Sequence, residues 1–347
     1  MDIGITLTPK SEAWKITKLA EDLGFSHAWF YDTQLLCADI FVAMSAAAMQ
    51  TSKIKLGAGV LIPSNRLAAV AATGMASLNQ LAPGRMIAGL GTGYTARRTM
   101  GLPAHKLADL QEYVRVVKGL WNGEIVETKI ETVSRKVQFL QPEGFVNTMD
   151  KIPVHISAFG PKARKLTADI ADGFINAWTS PEVFSQVEEV RSLAIESDNN
   201  TEHIYATCLV LGCILEQGEP PDSARARAQA GPFPAILLHQ MAEDGEEAFV
   251  PPHMRKVVDG YREIYQKYRP EDARYLTNHK GHLMFLRPEE EQFITSELIK
   301  AFTLTGTPDE ILTRVGELEA SGYDQVAIQI THGQEAAITD WARLLVE

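Results

Sequence analysis

The sequence predicts an α/β protein built as a TIM-type (β/α)8 barrel, and two observations lead to this prediction. First, strands alternate with helices along the first part of the chain at roughly 25 to 30 residues per unit, the spacing of this barrel. Second, residues 54–93 read as strand, helix and strand with short connectors, the pattern of a parallel βαβ unit. The chain has 347 residues and 45% hydrophobic content, enough for one barrel with insertions, so residues 1–347 are interpreted as a single barrel domain.

The strands are predicted from short apolar or alternating runs that end at glycine, proline or polar residues. The first of them alternates and ends at Pro9, and the fourth leads into a glycine loop. The predicted strands cover residues 2–8, 27–31, 54–60, 86–90, 153–158, 173–178, 204–215 and 325–330. Residues 124–137 also alternate and are interpreted as a hairpin insertion.

The helices are predicted from apolar residues at helical spacing and from the residues that begin or end helices. Ser11 can cap the first helix and Gly24 stops it, while Gly322 ends the helix before the last strand. Pro161 suits a first helical position because its missing amide hydrogen costs nothing there. The predicted helices cover residues 12–23, 39–50, 67–81, 107–121, 161–171, 181–196, 308–320 and 334–346.

The regular alternation breaks between residues 216 and 302. This segment contains a proline-rich stretch at 231–234, an acidic stretch at 243–247 and a helix-like stretch at 254–268. A segment of this length between strands seven and eight predicts a largely helical insertion that lies over the barrel mouth or forms an oligomer contact.

Charge and composition exclude several classes of protein. The net charge of −11 argues against a nucleic-acid partner, since phosphates would repel it. The chain shows no basic, apolar signal-peptide start and no apolar run of membrane-spanning length, so no membrane association is expected. The three cysteines, Cys37, Cys208 and Cys213, show no disulfide pattern, which favours a reduced, cytoplasmic enzyme.

Glycines mark the ends of two neighbouring predicted strands. Gly57 and Gly59 belong to the third strand, and Gly91 and Gly93 follow the fourth. A glycine at a carboxyl end lets a flat ligand approach the backbone, so the four residues predict a ligand site at that end of the sheet. The alternative is that each glycine only makes a tight turn.

A candidate anion site follows the fifth strand. Strand, glycine turn and helix start come together here, so backbone amides at the helix amino terminus can face an anion. The residues predicted to contribute are Ser157, Ala158, Gly160, Pro161 and Lys162, with Thr92 and Gly93 from the neighbouring loop. Neither a Walker loop nor a G-x-G-x-x-G fingerprint is present, which argues against NAD as a tightly held cofactor. A capped helix with solvated cations is the alternative interpretation.

The segments 55–66, 82–85 and 89–94 resemble the bacterial-luciferase-like superfamily. That superfamily contains flavin monooxygenases, such as alkanesulfonate monooxygenase, and coenzyme F420-dependent enzymes, such as methylenetetrahydromethanopterin reductase. The resemblance covers roughly residues 1 to 215 and resumes near Thr303. It implies a barrel that holds a flavin or deazaflavin. It also implies a non-prolyl cis peptide at Gly59–Val60, or one bond away, behind the central ring.

Three residues are predicted to be catalytic. Asp32 lies just past the second strand, where several F420-dependent relatives carry Asp-His, and the Thr33 found here favours FMN over F420. His279 and His282 lie in the insertion and are predicted to gate the site, contact substrate or act as acid or base, the alternative being packed or exposed histidines without a catalytic role. A metal is not expected at them, because Gly281 weakens a helix between them and no nearby carboxylate or cysteine completes a ligand set.

The leading hypothesis is therefore an FMNH2-dependent monooxygenase that uses O2 on a small organic substrate. The resemblance implies that a separate NAD(P)H:flavin reductase supplies the reduced FMN, and that the chain forms a homo-oligomer. The alternative in the same fold is an F420-dependent oxidoreductase that moves hydride to or from a substrate carbon. A third hypothesis is a non-catalytic flavin-binding carrier.

Overall fold

The computed structural model describes residues 1–141, 144–178, 182–197, 203–245 and 250–346. The strands are β1 Asp2–Leu7, β2 His27–Phe30, β3 Lys55–Leu61, β4 Met86–Leu90, β5 Val126–Ile130, β6 Val133–Val137, β7 Val154–Ser157, β8 Gly173–Ala177, β9 Tyr205–Val210, β10 Gly212–Ile214, β11 Leu304–Gly306 and β12 Gln325–Gln329. Eight of these strands form a closed parallel barrel in the order β1-β12-β9-β8-β7-β4-β3-β2. The predicted barrel and the predicted β5–β6 hairpin are both confirmed.

Helices follow the barrel strands and fill the insertion. They are α1 Ala13–Asp22, α2 Ile40–Gln50, α3 Ala68–Leu81, α4 Tyr94–Arg98, α5 Leu107–Trp121, α6 Pro161–Ile170, α7 Val183–Ile195, α8 Ala224–Ala230, α9 Pro232–Glu243, α10 Arg255–Tyr265, α11 Tyr275–Asn278, α12 Ser296–Phe302, α13 Pro308–Ala320 and α14 Ala337–Leu345. Local sequence explains individual starts, since Thr307 and Glu310 form a capping box at α13 and Pro161 begins α6. Helices α8 to α12 lie between barrel strands β9 and β12, as predicted for a mostly helical insertion.

The predicted seventh strand, residues 204–215, is wrong in its length. Only β9 belongs to the barrel, and the chain then leaves it so that β10 pairs in parallel with β11. Gly212 permits this pairing, because a Cβ there would overlap the carbonyl of Leu304. The β10–β11 pair brings the two ends of the insertion together beside the barrel.

The side chain of Trp29 fills the barrel interior below the carboxyl ends of the strands. Trp29 is fully buried among Ile87, Ile175 and Ala327, and its indole Nε1 donates a 2.9 Å hydrogen bond to Oε1 of Gln325. The insertion has a separate apolar core that includes Leu238, Val258, Tyr261, Ile294 and Ile299. Among the described helices, none combines the length and the apolar character that a bilayer crossing requires.

Candidate functional site

A cavity of about 470 Å³ lies at the carboxyl end of the barrel strands. Its barrel side is formed by residues at strand ends, including Thr8, Tyr31, Gly59, Val60, Ser157 and Gln329. Its opposite side is formed by the insertion, including Phe233, Ile236, Leu237, His282, Leu283 and Met284. The volume is in the range of small-molecule and cofactor sites, and the carboxyl end is where TIM barrels carry such sites.

The predicted ring-binding residues come together on this cavity. Gly59 and Val60 line it, and the peptide bond between them is cis, which confirms that prediction. Gly91 lies against Val60, where an added Cβ would approach Cγ2 of Val60 to 2.7 Å. Thr92 and Gly93 line the cavity next to it. The backbone of β3 and the loop after β4 therefore form one wall with few side chains.

Gly57 does not take part in this wall, so its assignment to the ligand site is wrong. A Cβ on Gly57 would overlap the indole ring of Trp29, which fills the space beside it. The glycine is required for packing of the barrel interior. Gly93 adopts a φ of 78°, a turn conformation that favours glycine. The same residue also lines the cavity, so both interpretations apply to it.

The predicted anion residues lie partly on the cavity and partly beside it. Ser157 and Phe159 line the cavity, whereas Ala158 is fully buried and Gly160, Pro161 and Lys162 are exposed. Gly160 is the N-cap of α6, and a Cβ on it would meet nothing within 4 Å, so there is room in front of the helix start. An anion role for these residues stays a prediction.

Arg164, two residues further along α6, already has partners. It donates from Nη1 to the carbonyl of Phe159 at 2.5 Å and from Nε to Oε2 of Glu189 at 2.8 Å. Its charge is therefore paired within the protein. Lys162 and Lys165 of α6 are both exposed, and Lys165 forms an ion pair with Asp169.

Two hydroxyls on the cavity wall are buried without a hydrogen-bond partner among the described residues. They are Oγ1 of Thr8 and the phenol oxygen of Tyr94. Burial raises the pKa of Tyr94, so its hydroxyl stays protonated and can donate. Buried polar groups normally have partners. Both residues line the cavity, although neither oxygen is exposed to it, so each would have to turn to meet a ligand.

Asp32 does not reach the cavity, although the adjacent Thr33 does. Both carboxylate oxygens of Asp32 lie 2.8 Å from Nη1 of Arg66, and Arg66 also reaches Asp39 at 2.5 Å. Burial raises the pKa of Asp32, and Arg66 opposes that effect. This ion pair joins the loops that follow β2 and β3. This position favours a structural role for Asp32, and its catalytic role stays a prediction.

His282 lies on the cavity wall and His279 lies behind it. Nε2 of His282 is 3.0 Å from Oγ1 of Thr95, and Nδ1 of His282 is 3.4 Å from Nδ1 of His279. A third imidazole, His239 of α9, places its own Nδ1 at 3.4 Å from the same nitrogen of His282. Burial lowers the pKa of His239 and of His282, which keeps both rings neutral at pH 7.

The expectation that nothing nearby completes a ligand set is therefore wrong in its premise. The structure brings His239 and Glu243 to the two predicted histidines, and Glu290 lies against His239. Local sequence around Gly281 could not show this, because His239 and Glu243 lie far from it along the chain.

Helix α9 was also missed as a cavity wall. The residues that face the cavity, Phe233, Ile236, Leu237 and Gln240, follow the i, i+3, i+4, i+7 spacing of one helical face. The sequence alone shows this spacing. It does not show which surface of the protein the helical face covers.

Known proteins resemble this chain over most of its length. The chain superposes on the structure of the coenzyme F420-dependent tetrahydromethanopterin reductase from Methanopyrus kandleri with a TM-score of 0.72 at 22% identity, covering 99% of this chain and 98% of that one. It is 26% identical over 340 residues to the 5,10-methylenetetrahydromethanopterin reductase of Archaeoglobus fulgidus, covering 94% of this chain and 92% of the relative.

A second kind of relative matches in part. The F420-dependent glucose-6-phosphate dehydrogenase of Beutenbergia cavernae is 32% identical over 223 residues, which is 62% of this chain and 64% of that enzyme. The family model described as luciferase-like monooxygenase matches residues 4–325. With its closed barrel and its cavity at the carboxyl end, the chain belongs to the luciferase-like family of oxidoreductases.

Proposed function

We propose that the protein is an F420-dependent oxidoreductase, which moves a hydride between the deazaflavin ring and a carbon atom of a small organic substrate. The observation that carries the proposal is the likeness to F420-dependent relatives, one of which is 32% identical over 223 residues. The near full-length likeness to methylenetetrahydromethanopterin reductases supports it further. The relatives therefore favour F420 over FMN, whereas Thr33 alone favours FMN.

The residues on the cavity fit such a ring. Gly59, Val60 and Gly91 give a wall without long side chains, against which a flat ring can lie. The hydroxyls of Thr8 and Tyr94, which have no partner among the described residues, would provide hydrogen bonds for its polar atoms after turning toward the cavity. When bound, the deazaflavin would supply the hydride chemistry. The chain's own residues would orient the ring and the substrate, while the apolar face of α9 excludes water.

The proposal is tested by binding under anaerobic conditions. The purified protein is titrated with F420 and, separately, with FMN, and tryptophan fluorescence is recorded. We expect F420 to bind at least about tenfold more tightly than FMN, a difference of about 1.4 kcal/mol. Tighter binding of FMN would overturn the assignment.

An FMN-dependent monooxygenase is the second candidate. Thr33 on the cavity wall favours it, because the resemblance places a histidine there in several F420-dependent relatives. In that case a separate NAD(P)H:flavin reductase would supply reduced FMN. Substrate-dependent oxygen uptake with NADH and a generic flavin reductase would support this candidate. If neither oxygen uptake nor F420 turnover occurs across a broad substrate panel, the carrier hypothesis is favoured.

A further inference from the structure

Three buried imidazoles converge within the insertion. His239 belongs to α9, and His279 and His282 belong to the turn after α11; they are 2%, 2% and 4% exposed. Nδ1 of His282 lies 3.4 Å from Nδ1 of each of the other two. One nitrogen from each ring lies within 4.8 Å of the other two, so the rings surround a common point.

Two of the three separations between these nitrogens match those of ligands around one ion. A four-coordinate zinc ion has Zn–N bonds of about 2.0 to 2.1 Å, and the edge of such a tetrahedron is then about 3.3 to 3.4 Å. A direct N–H···N hydrogen bond would favour a shorter separation, since hydrogen bonds with nitrogen donors are usually about 2.7 to 3.2 Å long. The two separations of 3.4 Å agree with the first geometry.

Two of the three outer nitrogens have hydrogen-bond partners of the kind that orient metal-binding histidines, and the third lies beside a carboxylate. Nε2 of His239 lies 2.5 Å from Oε1 of Glu290, and Nε2 of His282 lies 3.0 Å from Oγ1 of Thr95. Nε2 of His279 lies 2.8 Å from Oε1 of Glu243, although it is turned away from ideal hydrogen-bond geometry. A carboxylate beside Nε2 keeps the proton on that nitrogen and leaves the Nδ1 lone pair directed inward.

The two carboxylates are themselves fixed. Glu290 is 1% exposed and accepts a hydrogen bond from Nη2 of Arg287 at 2.5 Å. Glu243 accepts one from Nδ2 of Asn278 at 2.8 Å and one from Nη1 of Arg98 at 3.0 Å. Inward lone pairs held this close repel one another unless a cation or a shared proton lies between them.

From this geometry we propose that His239, His279 and His282 bind one divalent transition-metal ion of the zinc type. Three neutral nitrogen donors suit zinc, cobalt or nickel, whereas magnesium and calcium prefer oxygen ligands. The fourth position is left for a water molecule or another donor. The ion joins α9 to the turn that carries His282, and so it fixes one wall of the cavity. The competing arrangement is a single proton on Nδ1 of His282, shared by the other two rings.

Cobalt is the probe, because its visible spectrum reports coordination. The full-length protein is treated with a chelator, dialysed, incubated with Co²⁺ and dialysed again, after which the metal content and the visible spectrum are measured. We expect about one Co²⁺ per chain, the intense absorption of a four-coordinate ion, and loss of that absorption on adding Zn²⁺. We also expect Zn²⁺ to raise the Tm of the chelator-treated protein by at least about 2 °C.

The matched variants are His239→Gln with His279→Gln, and His332→Gln as the control. His332 is 61% exposed at the side chain and lies outside the cluster. The double variant should lose the four-coordinate spectrum and at least about 100-fold in Co²⁺ affinity, whereas the control should keep both. Absence of Co²⁺ and Zn²⁺ binding by the wild-type protein would overturn the proposal in favour of the shared proton. Equal binding by wild type and double variant would overturn it too, and the wild-type result needs no variant.

Discussion

Glycines that look alike in the sequence have different neighbours in the structure. A Cβ on Gly57 would overlap the indole of Trp29, whereas one on Gly316 in the middle of α13 would meet nothing within 4 Å. Packing against Trp29 therefore prevents a larger residue at position 57. At position 316 only helix propensity matters, and it favours alanine over glycine.

These two positions give a matched prediction on stability. Gly57→Ala should lower the free energy of unfolding by about 1 to 3 kcal/mol, since the added methyl group overpacks the barrel interior. Gly316→Ala should leave it unchanged or raise it by up to about 1 kcal/mol. Urea denaturation measures both. Equal effects of the two substitutions would show that Trp29 can move aside.

The hydroxyl of Tyr94 is expected to contribute to cofactor binding. Tyr94 lines the cavity, and its hydroxyl is buried without a partner among the described residues, so it would have to turn slightly to reach a ligand. If that hydroxyl donates to the cofactor, Tyr94→Phe should weaken F420 binding about 5- to 10-fold, the loss of one hydrogen bond. Fluorescence titration measures the affinity, with Tyr275→Phe, outside the cavity, as the control. Unchanged affinity in Tyr94→Phe would place the cofactor's polar atoms elsewhere.

Helix α8, which begins the insertion, depends on one carboxylate at its start. Glu219 pairs with Arg225 and accepts hydrogen bonds from Oγ of Ser223 at 2.6 Å and from the amide of Glu216 at 2.9 Å. The hydrogen bond from Arg225 is the largest of the effects that lower the pKa of Glu219 to about 2. The ionised form is therefore favoured in the folded protein.

A pH dependence follows from that shift. Because the folded pKa is depressed, the stabilisation is fully present above the unfolded value of 4.5 and is lost as the pH falls through about 2. With allowance for solvent screening, Glu219→Gln should cost about 1 to 2 kcal/mol at pH 7, and less at pH 3.5. Urea unfolding of wild type and variant at both pH values measures this. The same difference at both would contradict the linkage.

The barrel exterior has an apolar face on helices α2 and α3. Helices α2 and α3 lie side by side and contain no Asp, Glu, Lys or Arg. The exposed apolar side chains on them and at the start of α3 are Val42, Met49, Leu67, Val70 and Leu81. Contiguous apolar surface of this kind marks interfaces. The expected homo-oligomer stays a prediction, and we expect it to form through this face.

Self-association is tested by sedimentation. The wild-type protein should sediment as a dimer or larger species, and Val42→Glu with Val70→Glu should shift it toward the 38.3 kDa monomer, because the charges would be buried at the interface. Ile195→Glu is the control, since Ile195 is 86% exposed on α7. A wild-type monomer would contradict the expectation.

The barrel and the glycine-lined part of the cavity wall could be predicted from the sequence alone. Strand and helix periods, Pro161 at a helix start and the glycines after β4 are properties of short segments, so they could be interpreted locally. The resemblance added the cis peptide at Gly59–Val60, and the structure contains it. Among the predicted site residues, Gly59, Val60, Thr92, Gly93, Ser157 and His282 all line the cavity.

Which remote side chains meet depends on how the whole chain folds, and local patterns did not indicate it. The tertiary structure turned Asp32 toward Arg66, ended the barrel part of the seventh strand at Val210, and brought His239 to His279 and His282. The pairing of β2 with β3 brings together the loops of Asp32 and Arg66, the pairing of β10 with β11 takes the chain out of the barrel, and α9 carries His239. These contacts join segments that are remote along the chain, and a local pattern carries no information on them because the chain between can close in many ways.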